Sequence, residues 1–229
     1  MVAPVRDAQV LDAARGQLVE YGRRLGTDGL AFGSAGNLSV RVGEVVVITP
    51  SSMPYEAVDA CDLCVVAPDG TKLAGRGSIS SEWPMHWAVY STTDAGAVVH
   101  THSPEVIALS ATCDELPAIH YAIARLGGPV RVAPYTRFGS ERLANGARAA
   151  LEGRSAAILQ NHGAITYGPT LQEAYERAAL LEWLAGTYRR ALQYGSPRLL
   201  TAVELEEVVA EVRRRRYGEV ADAVGVDGR

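Results

Sequence analysis

Residues 97–102, Ala-Val-Val-His-Thr-His, constrain the fold of this 229-residue chain more than any other stretch. The apolar run reads as a β-strand that stops at Ser103, Pro104 and Glu105, where serine caps a new helix and proline suits its first turn. Side chains alternate along a strand, so His100 and His102 project to the same side and approach one point in space. Two convergent imidazoles suit a metal ion, and zinc takes three or four N, O or S ligands at about 2.0 to 2.3 Å. On this stretch alone a plainer arrangement stays open, with one ring packed at a strand edge and the other in water.

A chain of this length is expected to fold as one domain, residues 1–229, with room for a sizeable core. Its formal net charge of −4 offers no basic footprint for nucleic acid or an acidic membrane, so any phosphate it handles must be bound locally. The N-terminus carries Arg6, Asp7 and Asp12 instead of an apolar signal core, and no stretch reaches the ~18 apolar residues of a membrane span. A cytoplasmic protein is expected. Three cysteines do not make a disulfide framework; Cys61 and Cys64 form a single CxxC with no second pair, and both, like Cys113, read as ordinary buried thiols.

Leu11, Ala14, Leu18, Tyr21 and Leu25 recur in steps of three and four, which predicts an opening helix. Residues 38–42 and 44–49 flank Gly43 as a valine-rich hairpin, and 63–67 is a further strand. A helix is expected from Ser81, capped by its hydroxyl, through Tyr90. Beyond the 97–102 strand come a helix from Ser103, a short strand at 130–133, a helix near 140–151 and a buried strand at 156–160 that delivers Asn161, His162 and Gly163. Thr170 with Glu173, and Thr201 with Glu204, are capping boxes for two final helices, the second ending near Tyr217. Strands followed by strands alternating with helices predict an α/β domain with a central, partly antiparallel sheet covered by helices.

Three of the five histidines sit at strand ends: His100, His102 and His162. Three neutral imidazoles with an open position or a carboxylate make a catalytic metal site, although spacing alone does not bring His162 to the pair. Glu82, at a helix start, is either a charge favoured by the helix dipole or a general base beside the metal. The turns holding Gly33 to Asn37, Ser51 with Ser52, and Ser78 to Ser81 are small and polar enough to present donors to an anion. His86 and His120 read as structural, and Arg213 to Arg216 as a solvated helix end.

Several motifs occur together in order: GSAGNLSVR at 33–41, ITPSSMPY at 48–55, SSEW at 80–83, HTH at 100–102, AIHY at 118–121 and QNHG at 160–163. In this order they resemble the class II aldolases of the aldolase/adducin family, from the first helix to Tyr217. The resemblance implies a three-layer α/β/α fold with a largely antiparallel sheet. It implies a zinc-dependent lyase, with Mn2+ or Co2+ as substitutes. Its substrate is then a ketose 1-phosphate of the L-fuculose 1-phosphate kind, cleaved to dihydroxyacetone phosphate and an aldehyde through a metal-stabilised enediolate. By position, His100, His102 and His162 look like the zinc ligands. Glu82 looks like the residue that ligates the metal at rest and then acts as base. Ser34, Gly36, Asn37, Ser51, Ser52, Ser80 and Ser81 fall where the family binds the substrate phosphate, and Tyr121 and Tyr217 match tyrosines that reach the site from a neighbouring subunit of a homotetramer. Ser52 stands where the family usually has glycine. Sister activities on the scaffold are a pentulose-phosphate 4-epimerase or another lyase, and a non-catalytic adducin-like interaction domain is the distant alternative. Epimerases usually carry aspartate where Glu82 stands, and interaction domains lose the histidines.

Overall fold

Alternation of buried side chains along short β-strands decides how the layers stack. The computed structural model describes residues 4–215. The opening helix is Pro4–Thr27 (α1), whose Ala14, Leu18 and Leu25 are buried, with Leu11 and Tyr21 packed beside them as the spacing predicts. Asn37–Val42 (β1) and Val45–Ile48 (β2) form the expected hairpin across Gly43, whose φ of 57° lies in the left-handed region that glycine enters freely. Cys64–Val66 (β3) and Lys72–Ala74 (β4) extend it, then Trp83–Tyr90 (α2) leads to Ala97–Thr101 (β5) and Pro104–Ser110 (α3). The second half holds Glu115–Leu116 (β6), Val130–Ala133 (β7), Glu141–Ala150 (α4), Ala156–Leu159 (β8), Gly163–Gly168 (β9), Leu171–Tyr194 (α5) and Ala202–Arg215 (α6).

The strands form one sheet in the order β4-β3-β2-β1-β5-β9-β8-β7-β6, which sets β5 in the middle. Every pairing is antiparallel except that of β7 with β8. Ala97 and Val99 of β5 face a core shared with α1 and α5, whereas Val98 faces the opposite core with α2 and α4. The result is three layers, helix over sheet over helix. A third cluster joins α3, α5 and α6 around Leu109, Ile158, Leu184 and Leu205.

Four local expectations change. β4, β6 and β9 were not expected; β9 follows His162 immediately, and a strand starting at a turn of three residues shows no separate turn signal. Ser81 does not cap α2: Glu82 holds the N-cap position. Ser103 does hold the N-cap of α3, but its hydroxyl makes no cap bond. Instead the Glu182 carboxylate on α5 accepts from the N–H groups of Glu105 and Val106, at 2.9 and 3.0 Å. Finally, Cys64 is buried and Cys113 half-buried, but Cys61 is exposed, because it lies in the turn before β3.

Candidate active site

Strand alternation places Val98 and His100 on the α2 side of the sheet, and His102 follows on that side just past the strand end. β9 pairs with β5, and the turn joining it to β8 brings His162 over the same end. Two backbone features allow that turn. Asn161 adopts φ 53°, and at Gly163 a Cβ would lie 2.0 Å from the Thr101 carbonyl oxygen, so only glycine lets the hairpin lie against β5. Gly36 (φ +76°) plays the same part on the other flank, where a Cβ would meet the His100 carbonyl oxygen at 2.7 Å.

The three histidines and Glu82 offer ligand atoms that all lie within 4.8 Å of one another. Nε2 of His100 is 2.9 Å from Nε2 of His102 and 3.0 Å from Glu82 Oε2, and His162 Nε2 is 3.2 Å from Glu82 Oε1. A tetrahedral zinc ion with ligands near 2.1 Å holds them ~3.4 Å apart, so this donor set fits such an ion with small adjustments. Two features of the residues support that fit. In neutral His100 the Nδ1–H donates to the Ala164 carbonyl oxygen (2.8 Å), which leaves the Nε2 lone pair aimed into the cluster. Glu82 Oε1 is buried with His162 Nε2, 3.2 Å away, as its near polar neighbour and no well-formed hydrogen bond, a costly state for a carboxylate oxygen that a cation relieves.

The electrostatics agree. Burial would raise the Glu82 pKa, but the charges and hydrogen bonds of His100 and His162 outweigh it and hold the carboxyl far below the usual range. Burial opposes a charge on His100 too, yet the Glu82 carboxylate outweighs it and raises that pKa. At His102 the balance goes the other way: burial, then His100 and His162, outweigh the Glu82 carboxylate and hold it down at about 3, as a neutral lone-pair donor.

A cavity of about 280 Å³ opens above the cluster. Its walls are the predicted turns, with Ser34, Gly36 and Asn37 on one side, Ser51 and Ser52 on a second, and Ser80 and Ser81 on a third. Ser52 adopts φ 58°, a left-handed conformation in which glycine is the easier residue, and its hydroxyl lies 3.4 Å from that of Ser51. The Ser80 hydroxyl accepts from Glu82 N–H (3.2 Å). The side chain of Asn37 is committed inside the protein: its Nδ2 donates to Glu82 Oε2 (3.0 Å) and its Oδ1 accepts from His86 Nε2. Tyr121 opens a 3-10 helix, is 57 % exposed, tilts onto the His120 ring and is not among the cavity-lining residues. Tyr217 lies outside the described residues.

Tyr135, Thr136, Phe138 and Asn161 also line the cavity, and none was expected. The segment carrying the first three is an irregular loop after β7 with no motif. It is pinned by Gln160, which accepts from Tyr135 N–H (2.8 Å), and by Gly139, where a Cβ would meet the Ser81 carbonyl oxygen at 2.7 Å. His120 behaves as the structural histidine expected, accepting from Ala122 N–H at 3.1 Å.

Comparison with known proteins bears on the family and the fold. The profile of the family described as Class II Aldolase and Adducin N-terminal domain matches residues 16–189. A 5-methylthioribulose-1-phosphate/5-deoxyribulose-1-phosphate aldolase from Rhodospirillum rubrum is 39 % identical over 211 residues, covering 91 % of this chain and 94 % of that protein. A 5-deoxy-D-ribulose 1-phosphate aldolase from Bacillus thuringiensis serovar kurstaki is 35 % identical, covering 87 % and 95 %. Among solved structures, an L-fuculose 1-phosphate aldolase superposes with a TM-score of 0.84 at 34 % identity, over 88 % of this chain and 96 % of that one.

Proposed function

Because the chain belongs to the class II aldolase and adducin family, and is an aldolase within it, we propose that it reversibly cleaves a ketose 1-phosphate to dihydroxyacetone phosphate and an aldehyde. It does so as one domain, residues 1–229, in the cytoplasm. The observation that carries this reading is the buried Glu82 carboxylate among three convergent imidazoles at the floor of a cavity walled by serine-rich turns. His100, His102 and His162, with Glu82 at rest, hold a divalent ion, zinc first and Mn2+ or Co2+ as substitutes. When bound, that ion supplies positive charge that stabilises the negative charge left on the three-carbon fragment as the carbon–carbon bond breaks.

The chain's own groups do the rest. Ser34, Ser51, Ser52, Ser80 and Ser81, with the backbone at Gly36 and Asn37, offer donors to the phosphate, which matters in a protein with no overall positive charge. In the condensation direction Glu82 takes a proton from the carbon beside the carbonyl, and Tyr121 of a neighbouring subunit gives one to the aldehyde oxygen; in cleavage both transfers reverse. Tyr217, like Tyr121, serves the site from a neighbouring subunit, in a homotetramer with sites between subunits. Tyr135 and Phe138, 62 % and 63 % exposed at the cavity, offer apolar surface to the far end of a short aldehyde. That suits a 5-deoxy or methylthio sugar at least as well as L-fuculose 1-phosphate.

The test is to incubate the zinc-loaded protein with dihydroxyacetone phosphate and acetaldehyde, methylthioacetaldehyde or lactaldehyde, and to follow product formation and stereochemistry. Condensation with at least one aldehyde is expected, together with a loss of turnover in Glu82→Gln that leaves zinc bound. Epimerisation of a pentulose phosphate with no condensation would assign the sister activity instead.

A further inference from the structure

The helix and strand that meet behind Glu82 mesh by their periods. Every fourth residue of a helix advances about 6.0 Å and every second residue of a strand about 6.6 Å, so the two rows stay nearly in step. Here the rows are Glu82 at the N-cap of α2 with His86 and Tyr90 on the helix, and Asn37, Ser39 and Arg41 on β1. Asn37 bridges Glu82 Oε2 (3.0 Å) and His86 Nε2 (2.5 Å). Ser39 Oγ bridges His86 Nδ1 (2.7 Å) and the Tyr90 hydroxyl (2.8 Å), and the Arg41 guanidinium donates to the Tyr90 carbonyl oxygen and stacks on its ring. His86 and Ser39 are fully buried, and Asn37, Glu82 and Tyr90 are at most 6 % exposed, so water does not complete the bonds among these five.

The direction of every bond then follows from one charge. An ionised carboxylate only accepts, so Asn37 turns its NH2 group toward Glu82 and its oxygen toward His86. The oxygen needs a donor, which places the proton of His86 on Nε2. A neutral imidazole with Nε2–H accepts at Nδ1, so the Ser39 hydroxyl donates there and itself accepts from Tyr90. Burial, reinforced by the nearby His100, holds His86 down at about 3, which keeps the ring neutral as this order requires.

We propose that His86 is a positioning residue for the reaction: by donating from Nε2 to the Asn37 oxygen, it keeps the amide nitrogen of Asn37 facing Glu82 and so fixes the carboxylate over the cavity floor. Without that donor the Asn37 amide is free to turn its oxygen toward Glu82, which places two acceptors together and drives the carboxylate out of position. This inference rests on the role given to Glu82 above. It adds a residue that does not touch substrate or metal.

Two measurements test it on the zinc-loaded, full-length protein. The first is nitrogen NMR of histidine-labelled enzyme, in which His86 is expected as the neutral Nε2–H tautomer; the Nδ1–H tautomer, or a protonated ring near neutral pH, overturns the proposal whether or not any aldol activity is found. The second compares His86→Leu with His86→Gln, whose side-chain amide can both donate to Asn37 and accept from Ser39. His86→Leu is expected to lower kcat at least tenfold with KM for the phosphorylated substrate changed less than threefold, and His86→Gln to recover most of the loss. Equal impairment in both variants, or a native kcat in His86→Leu, overturns it. Where His86→Leu does not fold, Ser39→Ala replaces it: the Nε2–H tautomer is expected to persist, because the Asn37 oxygen still requires the donor, and a switch to Nδ1–H with a native kcat overturns the proposal. Absence of condensation by the unmodified protein counts against the proposed function alone, since the tautomer is read without turnover.

Discussion

At the scale of single residues, burial makes His86 a pH-dependent liability that the folded protein hides. Its pKa is held down at about 3 in the fold and returns to about 6.5 when the chain unfolds. Between those values the unfolded chain binds a proton that the folded one does not, so stability falls as pH drops from about 6.5 toward 3, by up to ~1.4 kcal/mol per unit, with no further slope from this group below about 3. Urea unfolding of the metal-free protein at pH 7, 6, 5 and 4 measures it; His86→Gln, which has nothing to titrate, is expected to show a shallower fall than the unmodified chain. The chemistry-bearing residues were the most legible part of the sequence. His100 and His102 followed from strand alternation alone, whereas His162 and Glu82 needed the ordered motifs. Their actual partners did not: Asn37 lies in a turn expected to hold phosphate, yet its amide is spent on Glu82 and His86, a consequence of which face of β1 meets α2.

At the scale of elements, the helix after the histidine strand is held by another helix. α3 has seven residues and too little length for stability of its own, and its N-cap hydroxyl, on Ser103, is buried without a partner. Glu182, half-buried on α5, supplies the acceptor that Ser103 does not. Glu182→Ala is expected to destabilise the protein by ~1 to 2 kcal/mol, as loss of a helix cap does, and Ser103→Ala to cost much less; thermal melts of the two variants compare them. Serine before proline was readable as a helix start, and that helix is there. The residue satisfying its N–H groups was not readable, because it lies 77 positions along the chain from Glu105. The same limit hid β4, β6 and β9: strands of two or three residues carry no period, and β9 exists because the turn at Asn161 and Gly163 folds it straight back onto β8.

At the scale of the whole molecule, the ligand set comes from β5 and its end, the start of α2 and the β8–β9 turn, so an ion bound there ties segments that only the finished sheet brings together. Zinc at a hundred times its dissociation constant is expected to stabilise the chain by ~2.7 kcal/mol over the chelated protein, or roughly 5 to 10 °C in Tm for a chain of this size. Calorimetry with and without chelator measures the shift. β5 is the central strand, with hydrogen-bonded neighbours on both sides. Local opening begins at edges and termini and reaches a middle strand last. The amide protons of Val99 and His100 should therefore be among the slowest to exchange, at close to the cost of global unfolding. Metal capture then doubles as an inspection step: a chain in which β8 and β9 or α2 are not packed against β5 has no complete set of ligands to offer and leaves the ion to its correctly finished neighbours.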